Sequence, residues 1–595
     1  MKRIFSLVAS ALLSLGCAAP VFALSPGERV DNFRLLDHNG ASHELYYLSD
    51  AKAVVLMAHG NGCDIVRNTL PALKEIREKY RAQGVEFLLI DSNLQDPRAA
   101  IAQEAAEFGI DFPILVDETQ LIGESLGIAR TADVFVIDPK TWKLVYRGPV
   151  DDRLAYGAQR PVATKNYLVD ALDATLSGKP VASAQVDAVG CLVNLPERDR
   201  RQEHAQISYS EQIAPLLTAK CTTCHRAGGG APWTMTSYDM IRGFAPMIRE
   251  VVRTKRMPPW HADPHYGSFV GERSMSVEEA RMLVHWIEAG APRGNGPDPL
   301  PNVEPSTSEW TLGKPDLIVE VPAYDVPATG VINYQYPRAA NPLGRDVWIR
   351  AIEILPGNRS VVHHVLVGLD DAANGSQRTI RGQIGELGGY APGKNAVPYP
   401  QDSGIFLRKE AGFRFQMHYT PNGKAATDVT RVGLFFYDKP PKHAMHMTLM
   451  LDTSLAIPAN TKEYKAQLEH VLDRDIVLYS LLPHAHLRGR AAQFTAFYPD
   501  GHKEILLSVP KYDFNWQTTY ALNPPKPIPA GTRIVLDMSW DNSAQNPANP
   551  DPNRVVHWGE QTWDEMNVGW MRYRYAEEDD PNHSADPPAS AERTQ

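Results

Sequence analysis

The alternation of apolar and polar residues divides the chain into regions of different kinds. From residue 24 to 196, apolar runs alternate with amphipathic stretches, a pattern typical of an α/β domain. Buried strands are predicted at 53–58, 85–90 and 134–137, with a helix over 70–83. This order of strand, helix and strand predicts a parallel pair of strands.

The pattern changes twice after this domain. Residues 197–203 form a charged run that we interpret as a linker. From about 207 to 288 the pattern turns helical, with a closing helix over 282–287, and a domain is predicted over 205–297. Proline and glycine then crowd 291–305, which indicates a second linker. From 308 to 575, short β-branched runs between turn residues predict antiparallel β-sandwiches, with strands at 317–321, 361–367, 413–419 and 534–540.

Both ends of the chain differ from the rest in composition. Lys2 and Arg3 precede an apolar stretch and a small-residue cleavage pattern ending at Ala23, so 1–23 is predicted to be a signal peptide. A lipid anchor at Cys17 is the alternative. The mature protein is expected in the periplasm or outside the cell, without a transmembrane segment, because no later apolar run is long enough. The acidic tail, 576–595, is predicted to be disordered.

The overall composition excludes few classes of protein. At 595 residues the chain should contain several domains, and 43% hydrophobic residues are ordinary for globular proteins. The formal net charge is -10 and no long Lys/Arg block occurs. Nucleic acid is therefore not an expected partner.

The strongest motif lies in the helical region. Cys221, Cys224 and His225 form the Cys-x-x-Cys-His pattern of covalent haem c attachment, with two thiols for thioether bonds and an imidazole for iron. A zinc site or a disulfide is the alternative interpretation. The region resembles a small, all-α class I cytochrome c domain over 205–297, which implies one covalent haem c.

The sixth iron ligand should come from later in this region. We predict Met257, because the two prolines that follow it would keep the backbone extended and stiff. A methionine ligand favours electron transfer, since it raises the reduction potential of the haem. Other possible ligands are Met235, Met247, Met275, His261 and His285.

Several histidine groups occur in the β-rich region. His484 and His486 lie two residues apart, so on a strand both would face the same side and could chelate one metal ion. His363 and His364 are adjacent and would face opposite sides, so a shared ion requires a β-bulge or a strand end there. Imidazole suits copper or zinc, and a nearby thioether favours Cu(I).

The order of these groups resembles one enzyme family. His363-His364, His418-Tyr419, the His484/His486 pair and then Glu565-Met566 resemble the copper type II, ascorbate-dependent monooxygenases, the family of peptidylglycine and dopamine hydroxylases. The resemblance implies two all-β, jelly-roll-like domains, 308–440 and 441–575, each holding one of two coppers. It assigns His363, His364 and His418 to an electron-accepting copper, and His484, His486 and Met566 to an oxygen-binding, catalytic copper.

The chain departs from this family in two respects. Leu482 stands where peptidylglycine hydroxylases have an arginine that binds the peptide carboxylate, which argues against peptide amidation. No cysteine follows Cys224, so packing alone must hold the sheets. A sandwich that carries copper without catalysis is the alternative interpretation.

The first domain resembles the thioredoxin/redoxin fold. His59-Gly60-Asn61-Gly62-Cys63 follows a strand and precedes a helix, which puts Cys63 at the position of the attacking thiol. Val66 occupies the place of the resolving cysteine, and Ala132 stands where the fold usually has a cis-proline. Cys63 and Cys191 could form a structural disulfide, which we favour, or a redox-active pair. A third possibility is copper or thiol handling for the β-rich region.

Together these features predict an exported redox enzyme. The hypothesis is a copper monooxygenase that hydroxylates a C–H bond of a small molecule with O2. Electrons would come from ascorbate or a periplasmic redox protein through the haem. The rival hypotheses are a non-catalytic electron-transfer or copper-binding protein, and peroxidase-like or reductive chemistry in the redoxin domain.

Overall fold

The computed structural model describes residues 24–227, 229, 231–300, 309–370, 387–391, 396 and 398–577. The predicted signal peptide, Cys17 and the tail from 578 lie outside these residues. The described chain forms two compact units. The first contains residues up to Asp31 and Ala51–Leu195, and the second contains Asn32–Asp50 and everything from Pro196 onward. No helix of the described residues is long and apolar enough to cross a membrane.

The first unit is an α/β domain built on strands buried on both faces. Neighbouring strands follow the order Ile114–Val116, Val85–Asp91, Ala53–His59, Val134–Asp138 and Lys143–Gly148. Ala53–His59 pairs in parallel with Val85–Asp91, which confirms the predicted βαβ unit. The helices are Asp64–Arg81, Arg98–Glu107, Leu121–Leu126 and Tyr167–Leu176, and two short strands are Leu154–Ala155 and Ala158–Gln159.

The first helix begins earlier than predicted. It starts at Asp64, directly after Cys63, rather than at residue 70. The first turns bury Val66 and Thr69 against the sheet, so the apolar stripe of the helix extends to its N-terminus. Cys63 therefore occupies the N-cap position.

From Pro196 onward, the second unit begins with helices. They are Pro196–Asp199, a 3-10 helix at Arg201–Gln206, a π-helical turn at Tyr209–Ile213, and α-helices at Ala214–Lys220, Tyr238–Arg253 and Val277–Glu288. The run 197–203, predicted to be a linker, is largely taken up by the first two of these helices. Its charges instead support local helical turns, since Glu197 pairs with Arg200 and His204. We call 196–300 the haem segment, after the haem c attachment motif that the sequence predicts in it.

The first β region lies within 309–444. One sheet has the order Leu317–Glu320, Arg431–Phe436, Val347–Leu355, Ser403–Leu407 and His443–Ala444. The other has the order Arg338–Ala339, Gly412–Tyr419, Val362–Asp370 and Gly388–Tyr390, and a short pair joins Tyr324–Val326 to Ala426–Asp428. Buried residues from both sheets form one core, which makes the region a sandwich.

The second β region spans 446–575. One sheet has the order His446–Asp452, Asn567–Tyr575, Ile476–His484 and Tyr520–Ile528, and the other has Tyr464–Val471, Arg533–Trp540, Gly489–Phe497 and Lys503–Val509. A short pair joins Ala456–Ile457 to Val556–His557. The chain outside the first unit is thus largely β-sheet, apart from the haem segment.

A loop of the haem segment belongs to the core of the second β region. In this loop, residues 260–270, Trp260 and Phe269 are buried together with Tyr520. The ring centroids of Trp260 and Phe269 lie 5.3 and 5.5 Å from that of Tyr520. Phe269 also forms a β-bridge with Leu522. The haem segment is therefore anchored to this β region by shared apolar packing.

Asn32–Asp50 also attaches to the second β region. This segment forms a hairpin of Arg34–Asp37 with Ser42–Glu44, followed by a 3-10 turn at Leu45–Leu48. The hydroxyl of Tyr47 donates to Asp541 at 2.7 Å. The ammonium of Lys462 lies 2.6 Å from the Asp50 carboxylate.

Candidate functional site

A β-bulge brings the first group of histidines together. Val362–Asp370 pairs with Gly412–Tyr419 in antiparallel register, and the register shifts between Val362 and His364. The shift frees the backbone at His363 from strict alternation, so His363 and His364 can turn toward one point. His418 lies directly opposite His364 in the pairing. This register shift is one of the two departures from a regular strand, a β-bulge or a strand end, that a shared ion would require.

The three imidazoles of this first group have the spacing of a metal site. One ring nitrogen from each of His363, His364 and His418 lies within 4.8 Å of the other two. The Nδ1 atoms of His363 and His364 are 3.3 Å apart. Two ligand atoms that each bind one ion at about 2.0 Å lie at most about 4 Å apart. Small rotations of the rings would therefore bring the three nitrogens to the spacing that one ion requires.

Burial keeps these rings neutral, which is the form that binds metal. It lowers the pKa of His363 to about 4 and that of His418 to about 3. Burial also holds the pKa of His364 well below its ordinary value, and the neighbouring His418 and His363 act in the same direction. At neutral pH all three rings therefore have a lone pair available.

The hydrogen bonds leave Nδ1 atoms of this group available to a metal ion. His364 Nε2 lies 3.4 Å from Gln416 Oε1, and Gln416 is held in turn by the Tyr336 hydroxyl at 3.3 Å. The Nδ1 atom of His418 is buried with no hydrogen-bond partner in the described structure. A buried lone pair without a partner costs free energy, and a metal ion at this point would remove that cost.

The second group contains His484 and His486. The strand ends at His484, so His486 lies beyond it and not on the strand as predicted. The two ring centroids are nevertheless 5.3 Å apart. His486 Nδ1 donates to the carbonyl of Asp564 at 3.2 Å, while its Nε2 is buried with no partner in the described residues, as is Nδ1 of His484. Burial lowers the pKa of His484 to about 4.

The carboxylate of Glu565 positions the backbone of the second group through hydrogen bonds. It accepts the backbone amides of His486 at 2.8 Å, Arg488 at 2.6 Å and Met566 at 3.3 Å. His486 and Met566 donate to the same oxygen, Oε2, so this contact brings their backbones together. Burial raises the pKa of Glu565 to about 7. The sequence showed Glu565 only as a neighbour of Met566, and its role in positioning was missed.

The haem segment presents its motif at the end of a helix. Ala214–Lys220 ends at Cys221, and the amide of His225 donates to the carbonyl of Cys221 at 3.0 Å. Cys221 and Cys224 are both unpaired thiols. His225 Nδ1 donates to the carbonyl of Trp233 at 3.0 Å, which leaves Nε2 as the ligand atom. These residues fit a covalently attached haem.

Met257 lies just beyond the helix Tyr238–Arg253. Its backbone does not begin the predicted extended stretch, because the amide of Trp260 turns back to donate to Pro258 at 2.9 Å. Burial of Trp260 in the second β region makes this bend favourable. The side chain of Met257 is half-buried. Met275 packs on the helical core to which Cys221 and Trp233 also belong.

In the first unit, the structure joins Cys63 to Cys191. Their Cα atoms are 6.4 Å apart and 128 residues separate them in the chain. Thr131 positions both ends: its hydroxyl lies 3.1 Å from the Cys63 sulfur and accepts the Cys191 amide at 2.9 Å. Cys63 is buried at the N-terminus of a helix, whereas Cys191 is exposed. Ala132 adopts a φ of 59° beside this pair.

Comparisons with known proteins bear on this unit. Residues 26–146 match the model of the AhpC/TSA family. The N-terminal region is a thioredoxin-like redoxin domain. The chain is 29% identical over 126 residues to the thiol-disulfide oxidoreductase ResA of Geobacillus thermodenitrificans, covering 21% of this chain and 64% of that protein. It is 30% identical over 118 residues to ResA of Geobacillus kaustophilus, covering 20% of this chain and 65% of that protein.

A solved structure is also similar to the redoxin domain. An uncharacterised conserved protein from Geobacillus kaustophilus is 32% identical, with 29% of this chain and 93% of that chain covered and a TM-score of 0.27. By contrast, the match to the two ResA proteins spans a little less than two thirds of their length.

One further polar group was not predicted from the sequence. Glu197, His204 and His285 each place a ligand atom within 4.8 Å of the others in the haem segment. The rings of His204 and His285 stack with centroids 4.0 Å apart and planes inclined by 8°. Helical turns on both sides of the motif bring these residues together, and no local sequence signal marks a contact between positions so far apart.

Proposed function

We propose that this protein is an exported, copper-dependent monooxygenase that receives electrons through a covalent haem c. The observation that carries the proposal is the bulge that gathers His363, His364 and His418 around one point. Three neutral imidazoles suit copper, while the second group adds a possible thioether from Met566 and favours Cu(I).

The buried nitrogens support metal binding at both groups. His418 Nδ1 in the first group and His486 Nε2 in the second have no hydrogen-bond partner among the described residues. Nε2 of His364 contacts Gln416, and Nδ1 of His486 contacts the carbonyl of Asp564. These contacts fix the ring orientations, as is usual for metal-binding histidines. Copper would supply one-electron redox chemistry and oxygen activation.

The proposed reaction inserts one oxygen atom into a C–H bond. The substrate and O2 take up two electrons and two protons, and the products are an alcohol and water. The electrons would come from ascorbate or a periplasmic redox protein, and a haem held by Cys221, Cys224 and His225 would supply one-electron transfer. Shared packing of Trp260 and Phe269 with Tyr520 supports this route, because it fixes the haem segment on the second β region.

Metal analysis with matched variants tests the proposal. Protein purified from the periplasm should contain one haem and two coppers per chain. His418→Ala and His486→Ala should each lose one copper, while His502→Ala, an exposed histidine outside both groups, should retain two. Wild-type protein that binds no copper would overturn the proposal.

Oxygen consumption separates an enzyme from a copper carrier. The reduced, copper-loaded protein should consume oxygen in a single turnover when a C–H substrate is present, and His486→Ala should not. Full copper occupancy without oxygen uptake across a panel of small C–H compounds would favour the non-catalytic electron carrier.

A second candidate function is thiol-disulfide exchange in the redoxin domain. The exposed position of Cys191 favours it, because an external thiolate can approach the disulfide from that side. Cys63 would then be the leaving thiolate, stabilised at a helix N-terminus. The reduction potential tests this: a value near that of the periplasm supports exchange, and one far below it leaves a structural bridge.

A further inference from the structure

One aromatic ring contacts both histidine groups. The ring of Phe514 stacks on His363, with centroids 5.1 Å apart and planes inclined by 16°. The same ring lies 5.6 Å from His486 and 6.4 Å from His418. The centroids of His363 and His486 are therefore at most about 11 Å apart, because the two distances to Phe514 limit their separation.

Phe514 is held there by a loop of the second β region. In this loop, residues 512–518, the amide of Trp516 donates to the carbonyl of Asp513 at 3.0 Å. The Asp513 carboxylate also accepts both the amide and the side chain of Asn515, each at 2.9 Å. These local bonds stiffen the loop around Phe514, which is only 6% exposed.

Tyr512 fastens the loop to the second group. Its hydroxyl donates to the carbonyl of Ala485 at 2.8 Å and accepts the amide of the same residue at 3.2 Å. Ala485 lies between the two histidines of the second group. A Cβ at Gly489 would lie 2.6 Å from the Tyr512 ring and 2.8 Å from the Ala485 Cβ, so this close approach requires glycine.

We propose that Phe514 is a positioning residue that fills the gap between the two histidine groups, fixes their spacing and excludes water from between them. The inference rests on the proposed copper sites. The second β region supplies the ring and the first supplies His363, so this contact ties the geometry of one site to the other. Electron tunnelling weakens steeply with distance, and this spacing therefore affects how fast an electron can pass between the sites.

Electron paramagnetic resonance of the fully oxidised, copper-loaded protein tests the spacing. The wild-type spectrum should show dipolar broadening that is absent from His418→Ala and His486→Ala, which each retain a single copper. Phe514→Ala should change this broadening while still binding two coppers. Phe514→Tyr keeps the ring and should restore the wild-type spectrum.

Spin-echo measurements in D2O test the exclusion of water. Phe514→Ala should show stronger deuterium modulation at the copper ions than wild type, and Phe514→Tyr should not. Tyr334→Leu is the matched control, since the Tyr334 ring lies 5.3 and 4.7 Å from His364 and His418 of the first group. It should leave the dipolar broadening unchanged.

The outcomes distinguish this inference from the proposed function. Two coppers per chain with identical broadening and modulation in wild type and Phe514→Ala would overturn the role of Phe514 alone. Equal broadening changes in Phe514→Ala and Tyr334→Leu would also overturn it. Wild-type protein with fewer than two coppers would overturn the proposed function, and this inference with it.

Discussion

His364 and His418 face each other directly across an antiparallel strand pair, at the point where a bulge interrupts the register of the His364 strand. Their ring centroids are 5.0 Å apart. Cross-strand neighbours hold two of the three imidazoles of the first group, and the bulge adds the third, His363. The candidate metal centre is therefore a property of strand pairing rather than of a flexible loop.

Gln416 should affect copper binding although it is not a ligand. Its side chain lies 3.4 Å from His364 Nε2, and Gln416→Leu removes this contact. Loss of such a support typically weakens metal binding about 10- to 100-fold. Copper titration should show this loss at the first group only. Gln335→Leu, at a residue joined to Met417 by an isolated β-bridge, serves as the control. Unchanged affinity in Gln416→Leu would contradict the assigned ring orientation.

Glu565 should stabilise the fold even without metal. Glu565→Ala leaves buried amides of His486 and Arg488 without an acceptor, at roughly 1–3 kcal/mol for each stranded donor. Urea unfolding of the metal-free protein measures the change. Glu565→Gln keeps one oxygen and should lose less, and Glu469→Gln, in an exposed ion pair with Arg533, should change stability by at most about 1 kcal/mol. Equal stability of Glu565→Ala and Glu469→Gln would exclude this role.

Trp260 should stabilise the second β region although it belongs to the haem segment. Its side chain is 9% exposed within the core of that region. Trp260→Ala should lower the unfolding free energy of the second unit by about 3–5 kcal/mol because it leaves a cavity. Calorimetry should detect the loss, while Val331→Ala, at a 73% exposed site, should stay within about 0.5 kcal/mol of wild type. A stable Trp260→Ala protein would show that the anchor is dispensable.

The sixth haem ligand can be identified by two methionine substitutions. If Met257 binds iron as the sequence predicts, Met257→Leu should abolish the long-wavelength methionine-to-iron absorption band and lower the reduction potential. Met275→Leu should leave both unchanged. Met275 packs against the same helical core as Cys221 and is the informative comparison. The reverse result would transfer the ligand assignment to Met275.

The two cysteines of the redoxin domain should differ in reactivity after reduction. Cys191 is exposed, whereas Cys63 is 4% exposed and lies against the Thr131 hydroxyl. Alkylation of the reduced protein should therefore modify Cys191 first, as peptide mass analysis with time would show. Cys63→Ser should retain the fast reaction and Cys191→Ser should lose it. Faster labelling of Cys63 would indicate that the reduced domain opens at the helix N-terminus.

Local pattern determined much of the architecture. The runs around Val55 and Phe87 have the apolar composition of buried parallel strands, and the structure pairs these two residues side by side. The Cys-x-x-Cys-His motif is equally local, because one helical turn fixes the distances among Cys221, Cys224 and His225. The sequence also identified the need for a bulge at His363, since adjacent strand residues otherwise face opposite sides.

Tertiary structure decided what no local pattern could specify. The pairing of His364 with His418 depends on strand register, and the position of Phe514 depends on how a loop from one β region meets the other. The hydrogen bond from the His486 amide to Glu565 is a further example, and so is the burial of Trp260 in the core of the second β region. Periodicity reports which face of an element is buried. Which residues then meet across more than fifty positions depends on the packing of whole sheets, because that packing alone brings distant side chains within contact distance.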